Sequence, residues 1–202
     1  MTFDHLSALL AFGFVATMTP GPNNLMLMAS GVNFGFGRTI PHMLGVLIGF
    51  VVMFALVGFG LMRVFDAYPA IYPVLKIVSV FYLAYLAWKI ATAAGPGEGT
   101  APGGHPFSFL QAALFQWVNP KAWAVALTVY SVYSPSRGAQ AILVVSLVFF
   151  LVTLLSVTVW TLLGQQLRKL LTNKLRLRVF NGMMGALLIA SLLPVLLASL
   201  AD

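Results

Sequence analysis

Two short polar stretches interrupt otherwise apolar runs of this sequence, Thr19-Pro20-Gly21-Pro22-Asn23-Asn24 and Trp117-Val118-Asn119-Pro120-Lys121. Proline lacks a backbone N–H and clashes with the preceding turn, so neither run is expected to pass through its break as one regular helix. In both, a good N-cap residue precedes a proline suited to the first helical position: Thr19 before Pro20, and Asn119 before Pro120. A new half-helix is predicted to start at each, its unpaired N–H groups and the positive end of its dipole facing the break. Such ends attract a carboxylate. The carbonyls left over at the ends of the preceding half-helices, helped by Thr19, Asn23 and Asn24, would accept hydrogen bonds from an ammonium, and together these groups suit a zwitterion. The simpler alternative is that the prolines only kink two packed helices, as single prolines do in membranes. Two breaks of the same polar pattern favour a site.

Lys121 adds a full charge to the second break. It follows about eleven residues of its apolar run, which at 1.5 Å per residue places it roughly 16 Å deep, out of easy reach of either headgroup layer. A lysine at the centre of a span costs about 2.5–3.5 kcal/mol to insert and is by default a functional hypothesis. It is a candidate partner for a substrate carboxylate and a candidate proton carrier; its structural alternative is to bond carbonyls freed by the break. His42 is the second coupling candidate, because imidazole titrates near neutral pH, although its place at the start of a span near Arg38 favours a side chain turned to the loop. Trp117 borders the second break and could wall the site. Lys76 lies close enough to a span end to snorkel. His5 and His105 have no ligand spacing to any acid, and the chain has no cysteine. No metal site, iron–sulfur cluster, disulfide or other cofactor is predicted.

These residues belong to a chain that water cannot solvate. Of its 202 residues 60% are hydrophobic and 7% charged, against roughly a quarter charged in soluble domains. Six apolar runs reach the roughly 20 residues needed to cross about 30 Å of hydrocarbon. They extend approximately over Leu6–Ser30, Thr39–Met62, Ile71–Ala91, Leu110–Tyr133, Ala139–Leu163 and Val179–Leu200. Continuous rather than alternating apolarity selects helices over a barrel, so an all-α integral membrane protein follows, a single domain over residues 1–202. The net charge of +7 reflects four acids against eleven bases, a scarcity of acids rather than a basic footprint, and lipid rather than nucleic acid is the implied partner. Met1-Thr2-Phe3-Asp4-His5 lacks the basic stretch of a signal peptide, and the first run is expected to stay in the mature protein.

The Gly- and Pro-rich stretch 93–106 reads as a linker between repeat one, residues 1–92, and repeat two, residues 107–202. Three spans in each half force the second half upside down relative to the first, and the first and fourth spans are the two interrupted ones. Corresponding interrupted helices in inverted repeats point to a transporter's substrate site. Arg38, Lys89 and the cluster Arg168, Lys169, Lys174, Arg176 and Arg178 flank one side, against Arg63 and Arg137 on the other. By the positive-inside rule both termini should lie in the periplasm. Residues 164–178 could form a short amphipathic helix with Leu167, Leu170, Leu171 and Leu175 turned inward. Gly45, Gly49, Gly182 and Gly185 allow close helix contact, within one subunit or between two copies in a homodimer.

The Thr19-Pro20-Gly21-Pro22-Asn23 run, the pattern Gly31, Gly35, Gly37, Arg38, Gly45 and Gly49, and Asn119-Pro120-Lys121 together resemble the LysE/RhtB family of amino acid exporters, with motif order and length agreeing over essentially the whole chain. Within it, Pro-Gly-Pro-Asn-Asn is similar to the cysteine and O-acetylserine exporter branch. The resemblance implies a secondary transporter that exports amino acids or close derivatives across the bacterial inner membrane in exchange for protons. Many members carry an aspartate where Asn23 stands. Here Asp4, Asp66, Glu98 and Asp202 all lie at span ends or in loops, so proton exchange would need another group to titrate. A membrane-embedded enzyme would need titratable groups gathered on one face, and beyond Lys121 and His42 there are too few. A structural subunit of a membrane complex would leave the breaks without a role. No phosphate-binding loop for self-powered transport is present.

Overall fold

Proline and the residue before it decide where the first helix stops. The computed structural model describes residues 3–93, 105–133 and 138–191, and the regular structure among them is helical. Helix α1 (Phe3–Met18) ends where Thr19 turns its hydroxyl back to the Val15 carbonyl at 2.6 Å and Pro20 brings no N–H to continue the ladder. Helix α2 (Pro22–Phe34) restarts after an extended Gly21, with proline in its first turn. Thr19 is therefore not the N-cap expected of it. Its hydroxyl closes α1, and the restart falls at Pro22 rather than Pro20.

Gly35, at φ 79°, is the single residue between α2 and α3 (Phe36–Gly58). A residue without Cβ can hold that left-handed turn without steric cost. Gly60, at φ 103°, likewise admits α4 (Leu61–Ala67), a short helix that the apolar run Thr39–Met62 did not separate from its neighbour. Helix α5 (Ile71–Ala91) follows. Helix α6 (Phe109–Val118) opens with a capping box between Ser108 and Gln111, stops at Asn119, and gives way to α7 (Pro120–Thr128) and a π-helical turn, Val129–Tyr133. Helices α8 (Ala139–Arg168) and α9 (Lys174–Ala190) complete the described chain. The expected linker falls largely on residues 94–104, and the expected sixth span ends among residues 192–200; both stretches lie outside the described residues.

Helices α3, α5 and α8 are each long and apolar enough to cross a membrane unaided, while the interrupted runs contribute the shorter apolar helices α1 and α6. The separate amphipathic helix expected over 164–178 is not present. Helix α8 continues to Arg168, α9 begins at Lys174, and Leu170 and Leu175 are exposed rather than turned inward. Continuing α8 keeps its backbone hydrogen-bonded within the segment, and Gly164 stays inside it as a packing residue against the Met28 carbonyl.

Lipid tails are as apolar as leucine, so association of helices here depends on close packing and interhelical hydrogen bonds. The largest contacts cross between halves of the chain: α2 lies on α8, α3 on α6, and α5 on α9. Small residues allow each approach. A methyl at Gly31 would strike the Thr161 carbonyl, one at Gly45 the Phe109 carbonyl, and one at Gly49 would come within 2.7 Å of Ala113 Cα. Gly185 abuts Ala87, whereas no described residue lies within 4 Å of Gly182. Gly45, Gly49 and Gly185 are thus used inside one subunit. Phe50, Phe54 and Phe149 fill the core beside α7, with ring centroids 4.4–4.6 Å apart for the Phe54 pairs. A reciprocal amide pair, Asn33 with Asn181 at 2.8 and 3.0 Å, joins α2 to α9 in a fully buried position.

Candidate functional site

At the first break the side chain of Asn24 folds back over the end of α1. Its Nδ2 donates to the Thr17 carbonyl at 2.7 Å and to the Thr19 carbonyl at 2.9 Å, and Ser156 Oγ on α8 donates to Thr17 at 2.8 Å. The expectation that these carbonyls stand open for a ligand ammonium is corrected by this arrangement: buried polar groups are satisfied by the chain itself where it can reach them. Thr19 Oγ1 is likewise engaged with Val15.

The second break is self-contained in a different way. Asn119 caps α7 as expected, its Oδ1 accepting from Lys121 N at 3.2 Å and its carbonyl from Ala122 N at 3.0 Å. Trp123 Nε1 covers the Trp117 carbonyl at 2.9 Å. The positive end of α7 is thereby occupied by its own N-cap. The matching end of α2 has no side-chain cap: Gly21 offers none, and the first intrahelical bond runs from Leu25 N to Gly21 O. One free helix end, not two facing each other, is what the fold presents.

Lys121 ties the breaks together. Its Nζ donates to the Thr19 carbonyl at 2.7 Å, and its stem lies over Gly21 so closely that a Cβ there would sit 2.9 Å from Lys121 Cδ. A side chain at residue 21 would displace the lysine stem. On the other flank Asn23 and Gln116 exchange hydrogen bonds at 2.8 and 3.1 Å, joining the first turn of α2 to the last turn of α6. An amide suits that pairing, since each partner both donates and accepts.

Between these ties lies a partly open pocket. Of the expected residues, Gly21, Pro22, Asn23, Asn24, Asn119 and Lys121 line it. Thr19 supplies only its carbonyl, Pro20 is exposed, and neither Pro120 nor Trp117 is in the wall. His42 is elsewhere. It is not turned to the loop but fully buried in α3, edge-on to Phe107 at 5.2 Å, with neither ring nitrogen hydrogen-bonded to a described residue. Helix α3 starts at Phe36, so residue 42 lies well inside it. Lys89 Nζ sits 4.3 Å over the same Phe107 ring, beside a smaller recess that also holds Ser30 and Asn33.

Sequence reasoning missed Gln116, which is fully buried, and the α8 residues Thr153 and Ser156. Gln116 lies only three positions before Asn119 and was the readable one. Thr153 and Ser156 carry no local signal, because hydroxyl residues are ordinary in membrane helices. Chemically, the pocket concentrates positive field: an ammonium and an uncapped helix N-terminus, with no acidic side chain among the described residues of the wall. A positive field of that kind favours an anionic group such as a carboxylate. Asn24 Oδ1, which receives one long contact of 3.4 Å from Ser156 Oγ, is an adjacent acceptor for an ammonium.

Known proteins resemble this chain over most of its length. The LysE type translocator family model matches residues 14–197. The cysteine/O-acetylserine efflux protein of Salmonella choleraesuis (strain SC-B67) is 31% identical over 169 residues, 81% of this chain and 84% of the relative. The protein of the same description from Escherichia coli (strain K12) is 29% identical over 175 residues, 84% and 87% of the two chains. No solved structure matches.

Proposed function

We propose that this chain, which belongs to the LysE type translocator family, exports a small neutral amino acid or a close derivative across the bacterial inner membrane, holding the zwitterion at the two breaks. The observation that carries the reading is Lys121 Nζ poised beside the uncapped N-terminus of α2 in one pocket. The carboxylate takes the Lys121 end and the ammonium turns to Asn24 Oδ1. Cysteine and O-acetylserine, the substrates in the relatives' names, are molecules of this kind.

The six spans form two inverted three-helix repeats in this reading, with both termini periplasmic. Support comes from the broken pairs α1/α2 and α6/α7 and from their crossed packing, α2 on the second half's α8 and α6 on the first half's α3. Rocking of such halves around a fixed site gives alternating access. The Asn23–Gln116 pair and the Lys121–Thr19 bond then mark contacts to be exchanged as the halves move. Proton exchange runs through Lys121, the one titratable side chain lining the pocket among the described residues.

Proteoliposomes loaded with labelled L-serine, L-cysteine or O-acetyl-L-serine, with and without a pH gradient, test the reading against the corresponding amines that lack the carboxylate. Export of the amino acids and not the amines is expected, and it should respond to the gradient. Amines moving as well as amino acids would remove the carboxylate from the mechanism; indifference to the gradient would remove the proton.

A further inference from the structure

Hydroxyl side chains in apolar helices usually hydrogen-bond the carbonyl one turn back, which hides them from lipid. This chain follows the habit: Thr17 bonds Gly13, Thr128 Ala124, Thr158 Leu154 and Thr161 Val157, all at 2.7–2.8 Å. Thr153 does not. It is 4% exposed, and its Oγ1 is buried without a hydrogen bond to any described residue. Among the described side chains with such an unpartnered buried atom, Thr153 alone lines the central pocket.

Its position in the wall gives the hydroxyl a direction of use. Ser156, one turn further along α8, is bound to the Thr17 carbonyl and to Asn24, and so marks the level where the substrate's ammonium is held. Thr153 lies three residues earlier, about 4.5 Å along the helix axis. Around it the wall is apolar, with Val46 and Phe50 from α3 and Val125 from α7. The hydroxyl is covered in this rotamer; a χ1 turn of Thr153 would bring it to the apolar wall, a short step from the amino acid core, where it suits a substrate side chain that ends in one polar atom.

We propose that Thr153 is a specificity-determining residue: its hydroxyl hydrogen-bonds the polar atom of a short substrate side chain, a hydroxyl, thiol or ester oxygen. The assignment rests on the reading that the pocket holds an amino acid by its carboxylate at Lys121. Val46, Phe50 and Val125 pack the rest of that side chain and keep water from competing for the hydroxyl. Substrates lacking the polar atom still fit, but leave the buried hydroxyl unpaired.

L-Serine and L-alanine differ by that one oxygen, so the test is the ratio of their transport efficiencies in proteoliposomes for wild type, Thr153→Val, Thr153→Ala and Thr153→Ser. Wild type is expected to prefer serine. The preference should fall about fivefold to tenfold in T153V and T153A, the worth of one neutral hydrogen bond, and survive in T153S. T153A carries the test if the valine variant fails to accumulate, because it removes the hydroxyl without a branched replacement. A serine preference unchanged in T153V or T153A overturns the proposal, as does a wild type that moves both amino acids equally well. Either result leaves the carboxylate site at Lys121 standing. A wild type that moves neither overturns both readings.

Discussion

Replacing Lys121 with methionine removes an ammonium while keeping an unbranched side chain in its place over Gly21. In the folded protein that ammonium donates to the Thr19 carbonyl at 2.7 Å, but the same carbonyl also receives Asn24 Nδ2 at 2.9 Å. Thr19 therefore keeps a partner after the substitution. Residue 121 also keeps its backbone bond to Asn119 Oδ1, so the α7 cap survives. The bond from the ammonium is worth about 1.5–3 kcal/mol, but removing a charge from an apolar run returns part of this, so the net stability cost is about 1 kcal/mol. Binding should suffer more. A hydrogen bond to a charged group contributes about 1.5–3 kcal/mol, which at about 1.4 kcal/mol per decade is roughly a 10- to 150-fold loss of affinity. The assay is a two-by-two cycle of wild type and K121M against L-serine and L-serinamide, whose neutral amide replaces the carboxylate. Affinities come from competition for transport and from ligand-induced thermal stabilisation. Wild type is expected to favour serine, and in K121M that preference should shrink by the same 10- to 150-fold, with serinamide little affected. Equal losses for the two ligands, or an undiminished preference for serine, would refute the placement of the carboxylate at Lys121.

Two further outcomes follow from the packing. Gly31→Ala drives a methyl into the Thr161 carbonyl, opposite Gly164, and should cost about 1–3 kcal/mol as α2 and α8 separate; Gly37→Ala, with nothing within 4 Å, should melt like wild type in detergent. Equal melting of the two variants would contradict the α2–α8 contact. Asn24→Ala strips one donor from each of the Thr17 and Thr19 carbonyls and should lower stability by about 1–3 kcal/mol as well as weakening serine binding. A variant that binds less serine yet melts unchanged would mean Asn24 does not hold the end of α1.

Proline's missing N–H and its fixed geometry act on the nearest turn in any surroundings, which is why the breaks at Pro20–Pro22 and Pro120 were legible without coordinates. The same is true of Asn119 as the cap of α7, since that bond spans two residues. Thr19 was misread for a related reason: its hydroxyl had two local uses, and it turns back to Val15 to close α1 while α2 starts only at Pro22, after Gly21. The leftover carbonyls were misread because what covers them comes from elsewhere. Asn24 folds back from α2, Ser156 reaches across from α8, and Lys121 arrives from the other half of the chain.

Local rules also fail for His42, because its burial against Phe107 depends on where residues just before α6 pack on α3. Sequence alone determined that the chain is helical and apolar, where two of its runs break, and that a lysine stands at one break. These follow from covalent geometry and hydropathy, which are properties of neighbouring residues. Tertiary structure alone decided that α2 keeps an uncapped end, that Gln116 pairs with Asn23, and that Thr153 lines the pocket unpartnered. Lipid accepts every apolar face equally well, so hydropathy does not say which face of α8 turns to α2; glycine contacts and hydrogen bonds between distant segments do.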